Sequence, residues 1–432
     1  MNYYIFILLS FLFFSSSLCL ETCQPFNIGP PPSGPPIPGV PGTFLETYVV
    51  KEINDPFTQS KCLDGSKYKF LFTQGQGSGQ KKWMFYWEGG AYCGYEGIDP
   101  VLSCSERATT PLGTSTIYPD DGETFTYNWP FGPMGYFSSL EEYNADFWNW
   151  NKVLINYCDG SNHQGHLDDA INFNGQELWF RGYDNTQAVF KYAKRFLGLN
   201  DATDIMLTGA SAGGQATYFW TNYLQTYFPE KVKLTALSDA GFFMDTYNIV
   251  AECHFFRNRM QLLAALTNSA NLEVFKPCKY FGTDDIWKCM IAQYIVEDIH
   301  IPMFIVNSQD DVSALPTQVG LSCINQGPST CSQCEVSIIA MVRAELLGHI
   351  DRIREKKPQW GFWLRTCFEH VYQSTMAWYG KTMDVYNEEK NNYISLKDGL
   401  HQWYNGGNLL DVSTSIFIDV LDWESNPNCQ LI

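Results

Sequence analysis

Five short apolar runs punctuate the chain, at residues 83–87, 152–157, 204–208, 234–237 and 303–306. They are rich in aliphatic and aromatic side chains and lack polar–apolar alternation, the pattern of strands buried on both faces of a parallel sheet. Between them the spacing becomes helical. Residues 187–197 set Val189, Tyr192, Ala193 and Phe196 on one face, and 212–227 and 336–350 read as two further helices. Nearer the start, Cys62-Leu-Asp-Gly-Ser66 reads as a hairpin turn leading into a strand at 68–72, with a loop at 75–82. Strand alternating with helix predicts a doubly wound, mostly parallel α/β sheet. Ligands of such sheets sit at the carboxyl ends of the strands.

Both termini of this pattern can be bounded. Residues 1–20 are mostly apolar, then a serine cluster and Cys19 precede Glu21, which predicts a secretory signal peptide cleaved near Leu20. No Lys or Arg precedes the apolar run, so a signal anchor is the alternative. Residues 21–44 are a Pro/Gly-rich linker, and no composition break follows, so 45–432 is expected to be one large domain. No other stretch is long and apolar enough to span a bilayer.

Composition adds three constraints. With 45% hydrophobic and 16% aromatic residues the chain has ample material for a core. Its net charge of −18 excludes nucleic acid as a natural partner and disfavours a strongly anionic polymer at neutral pH and low salt. An acidic compartment softens that repulsion by protonating carboxylates. Fourteen cysteines place the protein in an oxidising location, secreted or in an endomembrane lumen such as a lysosome or vacuole. Loss of Cys19 with the leader makes the set odd. Cys331 and Cys334 read as disulfide members, because a zinc or redox role needs a second Cys-x-x-Cys or nearby histidines. No Asn-x-Ser/Thr sequon is present.

The chemistry centres on Gly209-Ala-Ser211-Ala-Gly213, which follows the apolar run at 204–208 and opens a helix. This is a G-x-S-x-G elbow, in which small neighbours let a serine stand out over the sheet edge. A serine hydroxyl needs a base, usually histidine. Of seven histidines, His163 and His166 precede the serine; His254, His300, His349, His370 and His401 follow it. Hydrolases of this kind run in the order serine, acid, histidine. His254 beside Cys253 reads as structural, His300 falls at the opposite sheet edge, and His349 lies within a helix. His370, in an aromatic segment beside Cys367, is the first candidate and His401 the reserve. Asp310 and Asp311, just past the run at 303–306, are both candidate acids; Asp239 competes, although its small neighbours suit an Asx turn. Gly89-Gly90-Ala91, after the first run, has the backbone freedom of an oxyanion loop, with the Ala212 N–H converging from the helix start.

These stretches together resemble the pectin acetylesterase/Notum family of secreted carboxylesterases. The resemblance rests on Trp87-Glu-Gly-Gly-Ala-Tyr-Cys93, Asn149-Trp-Asn-Lys-Val153 running into Tyr157-Cys-Asp-Gly160, and Leu178-Trp-Phe-Arg-Gly182. It continues through the elbow, Leu237-Ser-Asp-Ala-Gly-Phe-Phe243, Pro302-Met-Phe-Ile-Val-Asn307, Cys367-Phe-Glu-His370 and Asn426-Pro-Asn-Cys429. It implies an α/β-hydrolase-like fold with disulfide-stapled loops and no cofactor or metal. It implies a Ser211–Asp311–His370 triad with Gly90, Ala91 and Ala212 at the oxyanion positions. It further implies a Cys93–Cys158 disulfide, with Cys334 as an extra cysteine. The expected activity is removal of O-acetyl groups from polysaccharide through an acyl-enzyme. A protein O-fatty-acyl deacylase is the alternative, and a silent binding protein on the same scaffold is the third reading. Ala91, where relatives carry Trp or Gly, bears on the choice.

Overall fold

A computed structural model describes residues 46–54, 59–94, 99–127, 135–372, 378, 385–387, 392–406, 415–426 and 429. The leader at 1–20 and the linker at 21–44 lie outside the described residues.

Ten strands form one sheet. They are β1 (Glu46–Glu52), β2 (Lys69–Thr73), β3 (Lys82–Trp87), β4 (Thr124–Tyr127), β5 (Asn151–Ile155), β6 (Asp204–Ala210), β7 (Lys233–Asp239), β8 (Met303–Ser308), β9 (Gly361–Arg365) and β10 (Ile416–Ile418). The spatial order is β10-β9-β8-β7-β6-β3-β5-β2-β1-β4. From β5 to β10 every pairing is parallel, while β2, β1 and β4 extend one edge antiparallel. The predicted α/β sheet is therefore present, and its five anticipated strands are contiguous in it.

Because side chains alternate across a strand, each buried strand feeds two cores. Trp83, Phe85 and Trp87 of β3, with Ile205 and Leu207 of β6, pack on one face. There they meet α2 (Gly182–Tyr192), α3 (Ala212–Leu224), α4 (Phe255–Leu266) and α5 (Gln333–Lys356), counted after α1 (Pro100–Arg107). Met84, Tyr86 and Met206 point the other way, against Tyr136, Phe137 and Leu400 and Trp403 of α6 (Leu396–Asn405). The helix predicted at 187–197 begins earlier and closes in a wide turn over Ala193–Leu197, ended by the left-handed Gly198. That predicted at 336–350 is longer at both ends, with Ser332 and Glu335 forming a capping box.

The topology positions the site. After β3 the chain crosses to the far edge as β4, comes back beside β3 as β5, and then passes to the other side of β3 as β6. The loops leaving β3 and β6 thus diverge at a topological switch point, where open α/β sheets leave a crevice.

Disulfides fasten these loops, but not in the pairing the resemblance implies. Cys158 bonds Cys62 and Cys93 bonds Cys104. Both Cys93 and Cys158 do lie near one sheet edge, yet each has a nearer partner. The turn at Cys62–Ser66 docks on Cys158, whose carbonyl accepts the Leu63 N–H at 2.7 Å, and α1 brings Cys104 under Cys93. Three further bridges join Cys278–Cys289, Cys323–Cys331 and Cys367–Cys429. Among the described residues, no helix is long and apolar enough to cross a membrane.

The Cys62–Cys158 bridge closes a separation of 96 residues and Cys93–Cys104 one of 11. Replacing the first pair by serine should therefore cost about 2 kcal/mol more in urea unfolding than replacing the second. Equal losses would show that chain entropy does not set the contribution of these bridges.

Candidate active site

The elbow is built by backbone packing. Ser211 follows β6 directly and precedes α3, with φ 56° and ψ −122°, a conformation that L-residues avoid. It is held there because the Ser211 N–H donates to the Asp239 carbonyl at 2.9 Å and the helix begins at once, Gln215 N–H donating back to the Ser211 carbonyl. A side chain two residues on cannot be accommodated: a Cβ on Gly213 would lie 1.9 Å from the Trp87 carbonyl oxygen. Helix α3 is thereby pressed against the end of β3.

Ser211, His370 and Asp311 meet at the carboxyl ends of three strands. Ser211 Oγ lies 2.8 Å from His370 Nε2, and His370 Nδ1 lies 2.8 Å from Asp311 Oδ2. With Nδ1–H donated to the carboxylate, Nε2 is left to accept the hydroxyl proton. The second carboxylate oxygen, Oδ1, accepts the N–H groups of Ser313 and Ala314 at 2.8 and 2.9 Å, which fixes its orientation. Burial alone would depress the His370 pKa. The charge and hydrogen bond of Asp311, with a contribution from Asp239, outweigh it and raise the value above that of an ordinary imidazole. The ring of Phe243 stacks beside the imidazole at 6.2 Å.

Asp310 and Asp311 point to different sides. The Asp310 carboxylate is fully buried and takes a fork from Arg343 of α5, Nε to Oδ1 at 3.0 Å and Nη2 to Oδ2 at 2.5 Å. Burial pushes its pKa up to about 6 despite that partner. Asp239, expected in an Asx turn, instead spans to another loop: both its carboxylate oxygens accept the Tyr372 N–H at 3.0 Å. Of the other histidines, His401 is exposed on α6 and pairs with Asp146 at 2.8 Å. His254 pairs with Asp245, and His349 lies tilted against Phe242 with its pKa lowered to about 4, first by burial and then by Arg352.

Facing the serine across the switch point, Gly90 has φ 134° and Ala91 φ 55°. A residue with a side chain at position 90 would be strained and would meet Leu112 Cδ2 at 2.9 Å. The Gly90 carbonyl is turned away and anchored by Arg107 Nη1 at 2.8 Å. Behind it, the Glu88 carboxylate accepts the Tyr157 N–H at 3.0 Å and its carbonyl meets His163 Nε2 at 2.8 Å. Burial keeps His163 neutral, its pKa lowered to about 3. Ala212, first residue of α3, carries an N–H with no acceptor one turn back in the helix. Two peptide segments, 89–91 and 211–212, thus lie close together, a Cβ on Gly89 falling 3.1 Å from the Ser211 Cβ. Arg107, Glu88 and His163 were not anticipated. They brace the loop through contacts between distant segments, which leave no local sequence signal. Among the described residues, no group of three or more His, Cys, Asp or Glu is placed to hold a metal ion.

The arrangement has the parts of acyl transfer to serine, and the comparisons with known proteins lie in the same chemistry. Pectin acetylesterase 7 of Arabidopsis thaliana is 26% identical over 405 residues, spanning 91% of this chain and 93% of its own. Pectin acetylesterase 5 of the same plant is 28% identical over 333 residues, spanning 74% of this chain and 73% of its own. The palmitoleoyl-protein carboxylesterase notum1a of Danio rerio is 26% identical over 275 residues, 58% of this chain and 48% of its own. In fold, the Wnt deacylase Notum from Drosophila superposes with a TM-score of 0.68 at 20% identity, over 89% of this chain and all of that one (100%). The profile of the Pectinacetylesterase family matches residues 43–430. A match that long, taking in the elbow, the Gly-rich loop and the loop bearing His370, means that the chain belongs to the pectinacetylesterase family.

Proposed function

We propose that this protein is a secreted serine carboxylesterase that removes O-acetyl groups from a polysaccharide. The observation that carries the reading is the continuous line of hydrogen bonds from Ser211 Oγ through His370 to Asp311. Ser211 attacks the acyl carbonyl while His370 Nε2 takes its proton, and Asp311 stabilises the imidazolium. The N–H groups at 90, 91 and 212 receive the developing oxyanion, and loss of one such donor typically lowers turnover by about 10²–10³. The sugar hydroxyl departs with the proton from His370. Water then repeats the sequence on the acyl-serine and releases acetate.

The choice of a short acyl group is supported by packing beside the base. Phe243, Phe256 and Tyr92 pack together, Phe243 edge-on to Phe256 at 5.9 Å and Tyr92 tilted against Phe256 at 6.3 Å, all of them buried. That volume is filled with protein, whereas a fatty chain needs an open apolar pocket there. Two pectin acetylesterases also align with 91% of this chain, against 57% to 74% for the Notum proteins. Secretion is supported by the apolar leader and the disulfides.

Ser211→Ala should leave the urea unfolding midpoint in place and lower turnover of p-nitrophenyl acetate by about 10⁴-fold or more. Turnover within tenfold of the unaltered protein rejects Ser211 as nucleophile. For acyl length, kcat/KM should fall by more than about tenfold from acetyl to octanoyl esters. A preference for octanoyl would move the assignment to fatty-acyl deacylation, and no turnover of either to a binding protein.

His370 must be neutral to act as a base, so activity rises with pH through its folded-state value. Because that value is raised, the acid limb of kcat/KM should lie above the ordinary imidazole midpoint of about 6.5. Asp311→Asn should move the limb to lower pH and reduce kcat by about 10²–10⁴. The same substitution at Asp310 should act chiefly on stability, seen as a lower melting temperature with the limb unmoved.

A further inference from the structure

We propose that Asp239 is a positioning residue that clamps the Ser211 elbow to the His370 loop and so sets the hydroxyl–imidazole distance. The inference rests on the reading of Ser211 and His370 as nucleophile and base.

Asp239 is the last residue of β7, in register with Ala210 of β6, and is fully buried. Its main chain and side chain serve the two partners separately. The carbonyl accepts the Ser211 N–H at 2.9 Å, which helps hold the strained elbow. The carboxylate accepts the Tyr372 N–H with both oxygens at 3.0 Å, two residues beyond His370. The intervening Val371 has φ 65°, where a β-branched residue does not rest unless its surroundings impose it. Fixing the N–H of Tyr372 imposes it, and so turns the imidazole toward the serine rather than along the loop.

The base of the clamp is itself rigid. Ala240 N–H donates to the Val306 carbonyl at 2.8 Å, Phe242 N–H to Asn307 Oδ1 at 3.2 Å, and Ser238 Oγ–H to the Gly214 carbonyl at 2.9 Å. Strands β7 and β8 and helix α3 thus share one frame. From the far side, the Cys367–Cys429 bridge and the Ser308 hydroxyl, which donates to the Cys367 carbonyl at 2.6 Å, hold the loop's beginning. Asp239 supplies the hold at its end. A buried carboxylate also acts at a distance. The charged groups that act on His370 are Asp311 and Asp239; Asp239 also acts on the phenol of Tyr136, while the Arg365–Glu369 ion pair and Asp311 act on the phenol of Tyr372. Asp311 and Asp239 are thus the two carboxylates that favour the imidazolium.

Geometry and charge separate in two variants, assayed with p-nitrophenyl acetate. Asp239→Asn keeps an acceptor for Tyr372 N–H and removes the charge. Its kcat at the pH optimum should stay within about tenfold of the unaltered enzyme, with the acid limb displaced to lower pH. Asp239→Ala removes both, and kcat should fall by more than tenfold below that of Asp239→Asn, with KM within about threefold. An unmoved acid limb in folded Asp239→Asn, unchanged kcat in folded Asp239→Ala, or an effect on KM alone overturns the proposal. So does failure of both variants to fold, which would make Asp239 a purely structural residue. Ser211→Ala in the same series keeps the two ideas apart. If it retains activity, the underlying reading fails; if it is inactive while both Asp239 variants behave as the unaltered enzyme, only the clamp fails.

Discussion

The contact on which the site depends is that of helix α3 with the end of β3, where Gly213 lies against the Trp87 carbonyl. It admits no Cβ, and it forces the chain to turn from strand to helix within a single residue. Ser211 is that residue. Its left-handed backbone is costly in isolation, on the order of 1–3 kcal/mol, and is maintained by packing that the two hydrophobic cores have already fixed on either face of the sheet. The same approach brings the segment after β3 to within reach of the serine. Hence the proposed donor loop at 89–91 and the proposed nucleophile are positioned by one feature rather than two. The cysteine bridges and Arg107 hold the loop's outer side, but the inner side is set by the sheet.

Electrostatics add a second constraint with two opposing signs. In the folded state His370 has a raised pKa, so its protonated form is favoured by folding. That contribution to stability is fully present below the unfolded value near 6.5 and is lost as pH rises through the folded value. The proposed reaction needs the neutral form, which predominates only above that value. The site therefore works in the range where this histidine has stopped stabilising the fold. Such opposition is expected where a base is made strong by a buried carboxylate.

The central strands were legible because burial on both faces leaves uninterrupted apolar runs, and the elbow because its small residues follow such a run. Strand β9 was harder to read. Its sequence Gly-Phe-Trp-Leu-Arg ends in a buried arginine that is tolerated only because Glu369 meets Arg365 at 2.7 Å. Strand β1, Glu-Thr-Tyr-Val-Val-Lys-Glu, is half polar, and the edge strand β10 is three residues long. At the site, spacing could find an aspartate after β8 but could not choose between neighbours. The choice is made by Arg343, 33 residues beyond Asp310, which draws that carboxylate away and leaves Asp311 toward His370. Cysteine pairing failed for a related reason: proximity to one sheet edge is shared by several cysteines, and the partner is selected by which loop docks on which. Asp239 was misread because its local neighbours suit a turn, whereas its carboxylate serves a segment 133 residues away.

These features bear on the kind of substrate the protein can meet. A chain of net charge −18 repels a polyanion at neutral pH, and lowering the pH to relieve that repulsion would protonate His370. The two demands are compatible only in a window. Acidic surface groups with ordinary values near 4 begin to lose charge well below the pH at which the imidazole becomes neutral. Protonation of the surface therefore offers little relief while the base is competent. Screening does not carry that penalty: at an ionic strength of about 0.15 M the Debye length is about 8 Å, so distant carboxylates no longer repel while the buried Asp311–His370 interaction persists. A polymer whose own charges are partly masked, by esterification or by bound cations, meets the same requirement from the substrate's side. An esterase of the proposed kind would thus meet an ester-bearing polymer in a saline, near-neutral setting more readily than a fully ionised one in dilute acid.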